Sequence, residues 1–300
     1  MLTVLLSLLS AAGYGSSDFV AGLATRRASV IRVTLLAEGV SVAVVGAALA
    51  VTGAGPPSPQ AVAWGSAAGL AGAGGALALY LGFRHAAFSV AGPLSAVGAA
   101  GFSVLAGLLL GERPTALALI GIALALPAIA GVSVSARAPS GGEAAASPES
   151  PGHPAITGRR WPSAGVSYGL VAGACFALLF IGLDEAGSGS GLWPVFCGQA
   201  AALVVVGCVA AFTGDLSLPE ARGGRLAAFA GLTGGPGTIL YFIATHHGLL
   251  AVAAVITSLY PAVTIMLARV MLGERLTAIR LAGLSLAAAS VALIAVGGAG

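Results

Sequence analysis

Apolar residues along this chain fall into ten runs of about 20 residues, each long enough to cross the hydrocarbon core of a bilayer. The runs lie at about 3–24, 31–51, 61–83, 87–110 and 116–135, and then at about 163–183, 192–213, 225–245, 249–272 and 277–298. Short segments rich in Gly, Pro, Ser and Arg separate them. The first run has no basic segment before it, so it reads as a helix and not as a signal peptide. The pattern predicts an all-α membrane protein with ten transmembrane helices.

The second half of the chain repeats the first. Leu108–Leu124 recurs at Val270–Leu286 without a gap, at a shift of 162 residues, and nine of the 17 positions are identical. Both copies contain Gly-Glu-Arg, with a Thr two residues further on. At the same shift, His85 aligns with His247. Such internal repetition indicates a duplicated structural unit.

Five spans per unit is an odd number, so the second unit enters the membrane from the opposite face. The sequence therefore predicts two inverted five-helix repeats, a plan that many secondary transporters share. We place the first repeat at 1–135 and the second at 163–300. The polar segment between them, 136–162, cannot bury a core and is predicted to be a flexible tether.

The composition agrees with a membrane protein. The chain is 58% hydrophobic and only 8% charged, against roughly 25% charged residues in soluble domains. Its basic residues stand at the ends of the spans, which is typical of membrane topology and not of nucleic-acid binding. The cysteines show no C-x-x-C spacing, and no metal-ligand pattern is present. We expect no metal, no cofactor and no catalytic residue.

Two glycine-rich segments occupy equivalent positions at the shift of 162, in the third and eighth spans. Gly and Pro loosen a helix, and the freed backbone groups need a cavity or a neighbour to satisfy them in lipid. Paired segments of this kind predict a central solute site. Close packing of helices through small residues is an equally weighted alternative. The residues concerned are Gly72, Gly74 and Gly75, and Gly234, Gly235, Pro236 and Gly237.

Asp18 is the most conspicuous charge inside a span. It lies six residues before Ala24, or about 9 Å from the end of the helix. A carboxylate at that depth costs several kcal/mol unless it faces a wet cavity or a partner. Glu38 in the second span is similar. Either residue is a candidate proton carrier, and an ion pair with Arg26, Arg27 or Arg32 is the alternative for both.

Tyrosines and histidines within the spans add candidate groups. The rings and hydroxyls of the tyrosines suit the wall of a solute pocket, although packing explains each of them equally well. The aligned histidines are candidates for pH-sensitive gating, and an interfacial role is the simpler alternative. These residues are Tyr14, Tyr80, Tyr241, Tyr260, His85 and His247.

The two Gly-Glu-Arg motifs lie between the last two spans of each half. We predict that Gly ends a helix, that Glu favours the start of the next one, and that Thr115 or Thr277 caps it. The motifs are thus interpreted as loop-stabilising. Separately, Pro93 and Pro261 fall within spans 4 and 9, where they can kink or hinge the helices.

These features resemble the EamA-like branch of the drug/metabolite transporter superfamily. The resemblance rests on two five-helix units, each with L-G-E-R-x-T before a glycine-bearing last helix, and on the opening Gly13–Phe19 (GYGSSDF). It implies a multi-pass protein of the bacterial inner membrane that exports or exchanges small metabolites, amino acids or drugs. The family is usually drawn with both termini in the cytoplasm.

The function predicted from the sequence is secondary transport of a small solute by alternating access, with protons as one candidate driving force. The chain has no Lys, so it lacks a Walker-type ATP site. The expected partners are a small-molecule solute and the lipid bilayer, without nucleic acid, in a monomer or a homodimer. A non-transporting scaffold or sensor is the alternative, and a membrane-embedded enzyme is a weaker one. Twelve Arg against one place the termini outside, opposite to the family's topology.

Overall fold

The computed structural model describes residues 1–85, 88–133, 162–273 and 277–297. These ranges contain helices and connecting turns, without a strand. The helices are α1 (Leu2–Thr25), α2 (Val30–Thr52), α3 (Pro59–His85), α4 (Phe88–Leu109), α5 (Ala116–Ser133), α6 (Pro162–Glu185), α7 (Trp193–Thr213), α8 (Ala221–Thr245), α9 (Leu250–Thr257), α10 (Tyr260–Leu272) and α11 (Ala278–Gly297).

The helices confirm the ten predicted spans. In the described ranges, eight helical segments are long and apolar enough to cross a membrane, and two further apolar helices, in α4 and α5, are somewhat shorter. One of the eight, Leu250–Leu272, consists of α9 and α10 together. The predicted tether at 136–162 lies outside the described residues except for its last position.

The Gly-Glu-Arg loops end and start helices as their sequence predicts. Gly111 and Gly273 have positive φ angles of 96° and 68°, a conformation that glycine adopts without steric cost. Thr115 Oγ1 accepts a hydrogen bond from the Ala118 N–H at 3.3 Å, and Thr277 Oγ1 accepts one from Arg280 at 3.4 Å. The roles of Gly and Thr in these loops are therefore confirmed.

Span 9 is broken near its middle. α9 ends at Thr257 and α10 begins at Tyr260, so Ser258 and Leu259 lie outside regular helix. Pro261 is the second residue of α10. Its nitrogen carries no hydrogen, and its ring would clash with the Thr257 carbonyl in a continuous helix. The interruption predicted at Pro261 is confirmed, whereas the side chain of Pro93 lies outside the described residues.

The two halves interlock, and they do so symmetrically. α1 packs on α8, and the equivalent pair α6 and α3 packs in the same way. α2 on α8 is matched by α7 on α3, and α4 on α6 by span 9 on α1. The remaining large contacts join equivalent helices directly: α2 with α7, α4 with α9, and α5 with α11. Most helix packing therefore crosses between the halves.

Both central helix pairs run antiparallel. Along α1, Thr3 and Ser10 donate to the carbonyls of His247 and Gly237, and Ser17 lies against Gly234, so the partner numbers fall as the α1 numbers rise. Between α3 and α6, Gly72 and Gly75 lie against Leu179 and Phe176. The numbers again run in opposite directions.

At one end of the bundle, here called the N-face, hydrogen bonds join loops of the two halves. This face carries Thr3, the loops 53–58 and 186–192, and residues 246–249. Trp193 Nε1 donates to the Gly55 carbonyl at 2.8 Å, and Ser190 Oγ lies 3.0 Å from Ser58 Oγ. α9, which starts at this face, is buried at all eight positions, whereas α10 has no buried residue. Span 9 is thus more deeply buried at its N-face end than at its other end, which lies towards the face that carries loops 26–29 and 214–220.

Candidate functional site

Tyr14 lies at the contact between α1 and α8. Its hydroxyl is 3.0 Å from Thr238 Oγ1, and Thr238 Oγ1 in turn donates to the Gly234 carbonyl at 3.2 Å. One turn earlier, Ser10 Oγ donates to the Gly237 carbonyl at 2.8 Å. These bonds hold the phenol ring at a fixed place in the middle of the bundle, where it is partly buried.

Asp18 lies one helical turn beyond Tyr14 on the same face of α1. Its side chain is exposed, although protein atoms surround it densely. We infer from that combination that Asp18 borders a recess between helices, and the region around Asp18, Tyr14 and Tyr260 is called the recess below. Asp18 lies within electrostatic range of the Tyr14 and Tyr260 hydroxyls. The structure thus brings together three of the residues that the sequence singled out.

Glu38 on α2 is the second acid near this recess. It is within electrostatic range of Tyr14. Its Oε2 atom is buried and has no hydrogen-bond partner among the described residues. Asp18 and Glu38 therefore approach Tyr14 from two different helices.

Arg32 does not neutralise either acid. Its Nε donates to Asp215 Oδ1 at 2.9 Å, which joins the start of α2 to the loop between α7 and α8. A hydrogen bond from Ser29, together with Arg32, holds the pKa of the Asp215 carboxyl below its usual value. Among the described residues, neither Asp18 nor Glu38 forms an ion pair, so the predicted alternative of pairing with Arg26, Arg27 or Arg32 is not realised.

The paired glycine segments lie at helix crossings. A Cβ atom on Gly72 would approach Leu179 Cδ1 to 2.4 Å, and one on Gly75 would approach Phe176 to 2.9 Å. In the second half, a Cβ on Gly237 would lie 3.3 Å from the Tyr14 nitrogen. Both helices continue through these segments, and α8 does so despite Pro236. Close packing, the alternative weighed for these residues, is what the structure displays, and their contact with a solute stays a prediction.

Gly234 and Gly235 also lie at close helix contacts, whereas Gly74 does not. A Cβ atom added to Gly234 would lie 3.1 Å from Ser17 Oγ, and one added to Gly235 would lie 3.3 Å from Ser41 Cα. Gly74 has more space, since Cys175 Sγ is its nearest neighbour at 3.9 Å.

The tyrosines separate into two groups. Tyr241 is fully buried, stacks on Phe180 at a centroid distance of 4.4 Å and donates to the Phe180 carbonyl at 3.3 Å. It is therefore part of the packed core in this structure. Tyr260, at the start of α10, is partly buried and near Asp18. The side chain of Tyr80 lies outside the described residues.

The histidines lie away from the recess. His247 is exposed at the N-face, where its backbone carbonyl accepts a hydrogen bond from Thr3 Oγ1 at 2.8 Å. His246 and His247 border a pocket of about 470 Å³ between loops 53–58 and 186–192. The side chain of His85 lies outside the described residues, so the predicted gating pair stays a prediction.

Glu112 corrects the interpretation of its motif. Its carboxylate accepts hydrogen bonds from the Leu250 and Ala251 N–H groups, the latter at 3.0 Å. These amides begin α9, in the other half of the chain. Glu112 therefore caps the N-terminus of a distant helix and not that of the following helix, α5. Glu274 and Arg275 lie outside the described residues.

The comparisons with known proteins agree with this architecture. The EamA-like transporter family matches the chain twice, over residues 1–134 and 163–296. The chain belongs to the EamA-like transporter family. No curated protein matches it at a significant level. Twenty chains of solved structures do. One crystal structure covers 98% of this chain and 98% of its own, with a TM-score of 0.74 at 15% identity, a likeness that shows the fold alone.

Some features of this EamA-like chain escaped the sequence analysis. Thr238, the partner of Tyr14, follows the second glycine segment directly, which was its one available signal. The hydroxyls of Thr257 and Ser258 are buried at the break in span 9 and have no hydrogen-bond partner in the described part of the chain. Only the nearby Pro261 pointed to that place.

Proposed function

We propose that this multi-pass membrane protein is a secondary transporter that moves a small solute across the cytoplasmic membrane by alternating access. The observation that carries the proposal is Asp18, an exposed carboxylate inside a membrane-spanning helix, without an ion-pair partner among the described residues and beside Tyr14 and Tyr260. Membership of a transporter family supports it. An ionisable group in that position commonly marks a solute or ion pathway.

The packing suggests from which end the recess is reached. α9 is buried throughout at the N-face, and α10 is not buried at any position towards the opposite face. We infer that the structure represents a state closed at the N-face and open at the opposite face. Alternating access requires a second state with the reverse arrangement.

The helix directions support such an exchange, because they favour inverted repeats. α1 is antiparallel to α8, and α3 is antiparallel to α6. If successive spans alternate in direction, α6 crosses the membrane opposite to α1. Rocking of two inverted halves about a central site then produces two states of similar energy.

The residues around the recess favour a cationic or zwitterionic solute. Asp18 and Glu38 supply negative charge, and Tyr14 and Tyr260 supply aromatic rings and hydroxyls. An ammonium group is attracted both by carboxylates and by aromatic faces. We therefore propose amines and amino acids as the first substrate class to test, with export as the direction.

Asp18 is the first candidate for proton coupling and Glu38 the second. Unpaired charge within a membrane protein is costly, and a carboxyl group that exchanges a proton for a cationic solute avoids that cost. The two acids come from different helices, α1 and α2, yet both act on Tyr14. A proton or a solute cation bound at either acid therefore changes the charge near the Tyr14 hydroxyl.

Proteoliposomes that contain a pH-sensitive dye provide the test. Amines and amino acids are added singly, and solute-driven proton movement is recorded for the native protein and for Asp18→Asn. We expect the variant to lose at least about tenfold in rate, as expected for loss of a required proton-transfer group. Glu220→Gln, an acid-to-amide change at an exposed residue directly before α8, is the control and should retain activity. Equal rates for Asp18→Asn and the native protein would exclude Asp18 as the carrier.

Two further outcomes bear on the wider proposal. Solute binding without flux for any tested compound would indicate a sensor and not a transporter. The direction of transport follows from the membrane orientation, for which the Arg distribution and the family topology disagree. Reporter fusions at each terminus decide between them, because the two topologies predict opposite signals.

A further inference from the structure

We propose that Glu112 is a positioning residue that holds the N-face closed by binding the first turn of α9. The proposal rests on the proposed function, because closure of one face matters only in a protein that alternates its access. Glu112 touches no part of the recess around Asp18. It acts through the helix that it binds.

The Glu112 carboxylate makes two charge-assisted hydrogen bonds to the first turn of α9. Glu112 Oε1 accepts from the Leu250 N–H and Oε2 from the Ala251 N–H, so both carboxylate oxygens are used. The first amides of a helix lack intrahelical partners. A carboxylate there forms charge-assisted bonds and also meets the positive end of the helix dipole.

Gly107 makes the room for this carboxylate. A Cβ atom on Gly107 would lie 2.2 Å from Glu112 Oε2 and 2.9 Å from its Cδ, well inside any permitted contact. The equivalent residue at the shift of 162 is Arg269. The glycine that accommodates the contact is therefore particular to the first half, although the Gly-Glu-Arg motif is present in both.

The contact joins the two halves at an element that can move. Glu112 follows α4 in the first half, and α9 belongs to the second half. α9 is separated from α10 by the break at Ser258 and Leu259, so it can tilt without carrying α10 with it. Because all eight residues of α9 are buried, opening of the N-face requires that α9 leave its neighbours. Such a movement would break both bonds to Glu112.

Labelling at two positions reports how accessible the protein is from each of the two faces. Ala254 on α9 is fully buried and becomes accessible only when the N-face opens. Gly22 lies one turn beyond Asp18 on α1, is exposed, and has no atom within 4 Å of an added Cβ. Each is changed singly to Cys in a protein in which Cys175, Cys197 and Cys208 are replaced by Ser. Labelling by a charged maleimide is then measured in lipid nanodiscs.

Glu112→Gln removes the charge, and Gly107→Ala removes the room for the carboxylate. We expect either change to raise the labelling rate at Ala254→Cys by about tenfold, which is the effect of losing one charge-assisted hydrogen bond, and to lower it at Gly22→Cys. Gly101→Ala is the matched control, since Gly101 is on the same helix and has no atom within 4 Å of an added Cβ. It should change neither rate.

Opposite changes at the two reporters distinguish a contact that holds the N-face closed, called the latch below, from a contact that only stabilises the fold. A rise at both reporters would mean a loosened fold and would overturn the proposal, as would unchanged labelling in both Glu112→Gln and Gly107→Ala. The outcome does not depend on transport. If labelling changes reciprocally but no solute is carried in proteoliposomes, the latch stands and the proposed function fails.

Discussion

Single glycines set how closely the helices of the two halves approach. Gly69 of α3 lies against Gly198 of α7, and an added Cβ on Gly69 would be 1.9 Å from the Gly198 carbonyl oxygen. That neighbour is backbone and cannot rotate away. Gly13 and Gly237 form a similar contact between α1 and α8, at 2.9 Å.

Gly69→Ala should therefore destabilise the protein, by about 1–3 kcal/mol, the usual effect of overpacking. Gly22→Ala is the matched control, because its added methyl group meets open space and its backbone is helical. It should be neutral or slightly stabilising. Thermal unfolding of both variants in detergent decides the matter, and equal transition temperatures would contradict the crossing geometry.

The hydrogen bond between Tyr14 and Thr238 allows a second test with single side chains. In a double-mutant cycle of Tyr14→Phe and Thr238→Val, unfolding should give a coupling of about 0.5–1.5 kcal/mol. The reason is that Thr238→Val removes the hydrogen-bond partner of the half-buried Tyr14 hydroxyl, and Tyr14→Phe leaves Thr238 Oγ1 only its bond to the Gly234 carbonyl. Additive effects of the two changes would show that the bond does not contribute in the membrane-protein environment.

Residue types alone did not separate packing glycines from glycines at a solute site. Both kinds of glycine are small residues within spans. They differ in whether the glycine faces another helix or a space for solute. Gly72 and Gly75 face side chains of α6, which are about 100 residues away along the chain. Asp18 was recognisable because a charge in a span is rare for energetic reasons, whatever its neighbours.

At the scale of helices, span 9 differs from the other spans. Its first part, α9, is buried at every position, and its second part, α10, at none. The two parts meet at Ser258 and Leu259. A helix divided in this way can change direction at one end and leave the other end in place.

Pro261→Ala should join the two parts, because alanine restores the missing N–H and removes the clash of the ring. We expect the transport rate to fall several-fold, as is common when a conformational step is slowed, while thermal stability is unchanged or raised. Pro127→Ala in α5 is the control, since α5 continues through Pro127 without a break. Retention of the native rate in Pro261→Ala would exclude a hinge at this position.

Hydropathy predicted the helices well, because length and apolar composition decide whether a segment crosses a bilayer. Repetition predicted the loop glycines and threonine caps, since both depend on neighbours close along the chain. The helix that Glu112 caps, α9, could not be predicted in this way. Leu250 is 138 residues away, so local pattern indicated a helix N-terminus but not which helix.

At the scale of the whole molecule, Arg32 and Asp215 join the halves at the face opposite the N-face. The lowered pKa of Asp215 means that its charged form stabilises the fold at pH values above the ordinary aspartate pKa, about 3.9. That contribution is lost as the pH falls through the lowered pKa. Asp215→Asn should therefore be less stable than the native protein near neutral pH and equal to it in strong acid.

Thermal unfolding between pH 3 and pH 7 checks this expectation. Arg32→Gln should show a loss of the same sign at neutral pH, and the double variant should lose less than the sum of the two single losses. A constant difference between Asp215→Asn and the native protein across this range would contradict the proposed role of the charge.

The interlocking of the halves has a consequence for biosynthesis. α1 emerges from the ribosome long before α8, and Ser10 and Gly237, which bond to each other, are 227 residues apart. α2 and α3 likewise find their main neighbours, α7 and α8 or α6 and α7, only in the second half. The first five helices are therefore inserted into the bilayer before most of their packing and hydrogen-bond partners have been synthesised. A nascent chain arrested after the first repeat should be a preferred target of membrane proteases, and the second repeat, supplied as a separate polypeptide, should protect it.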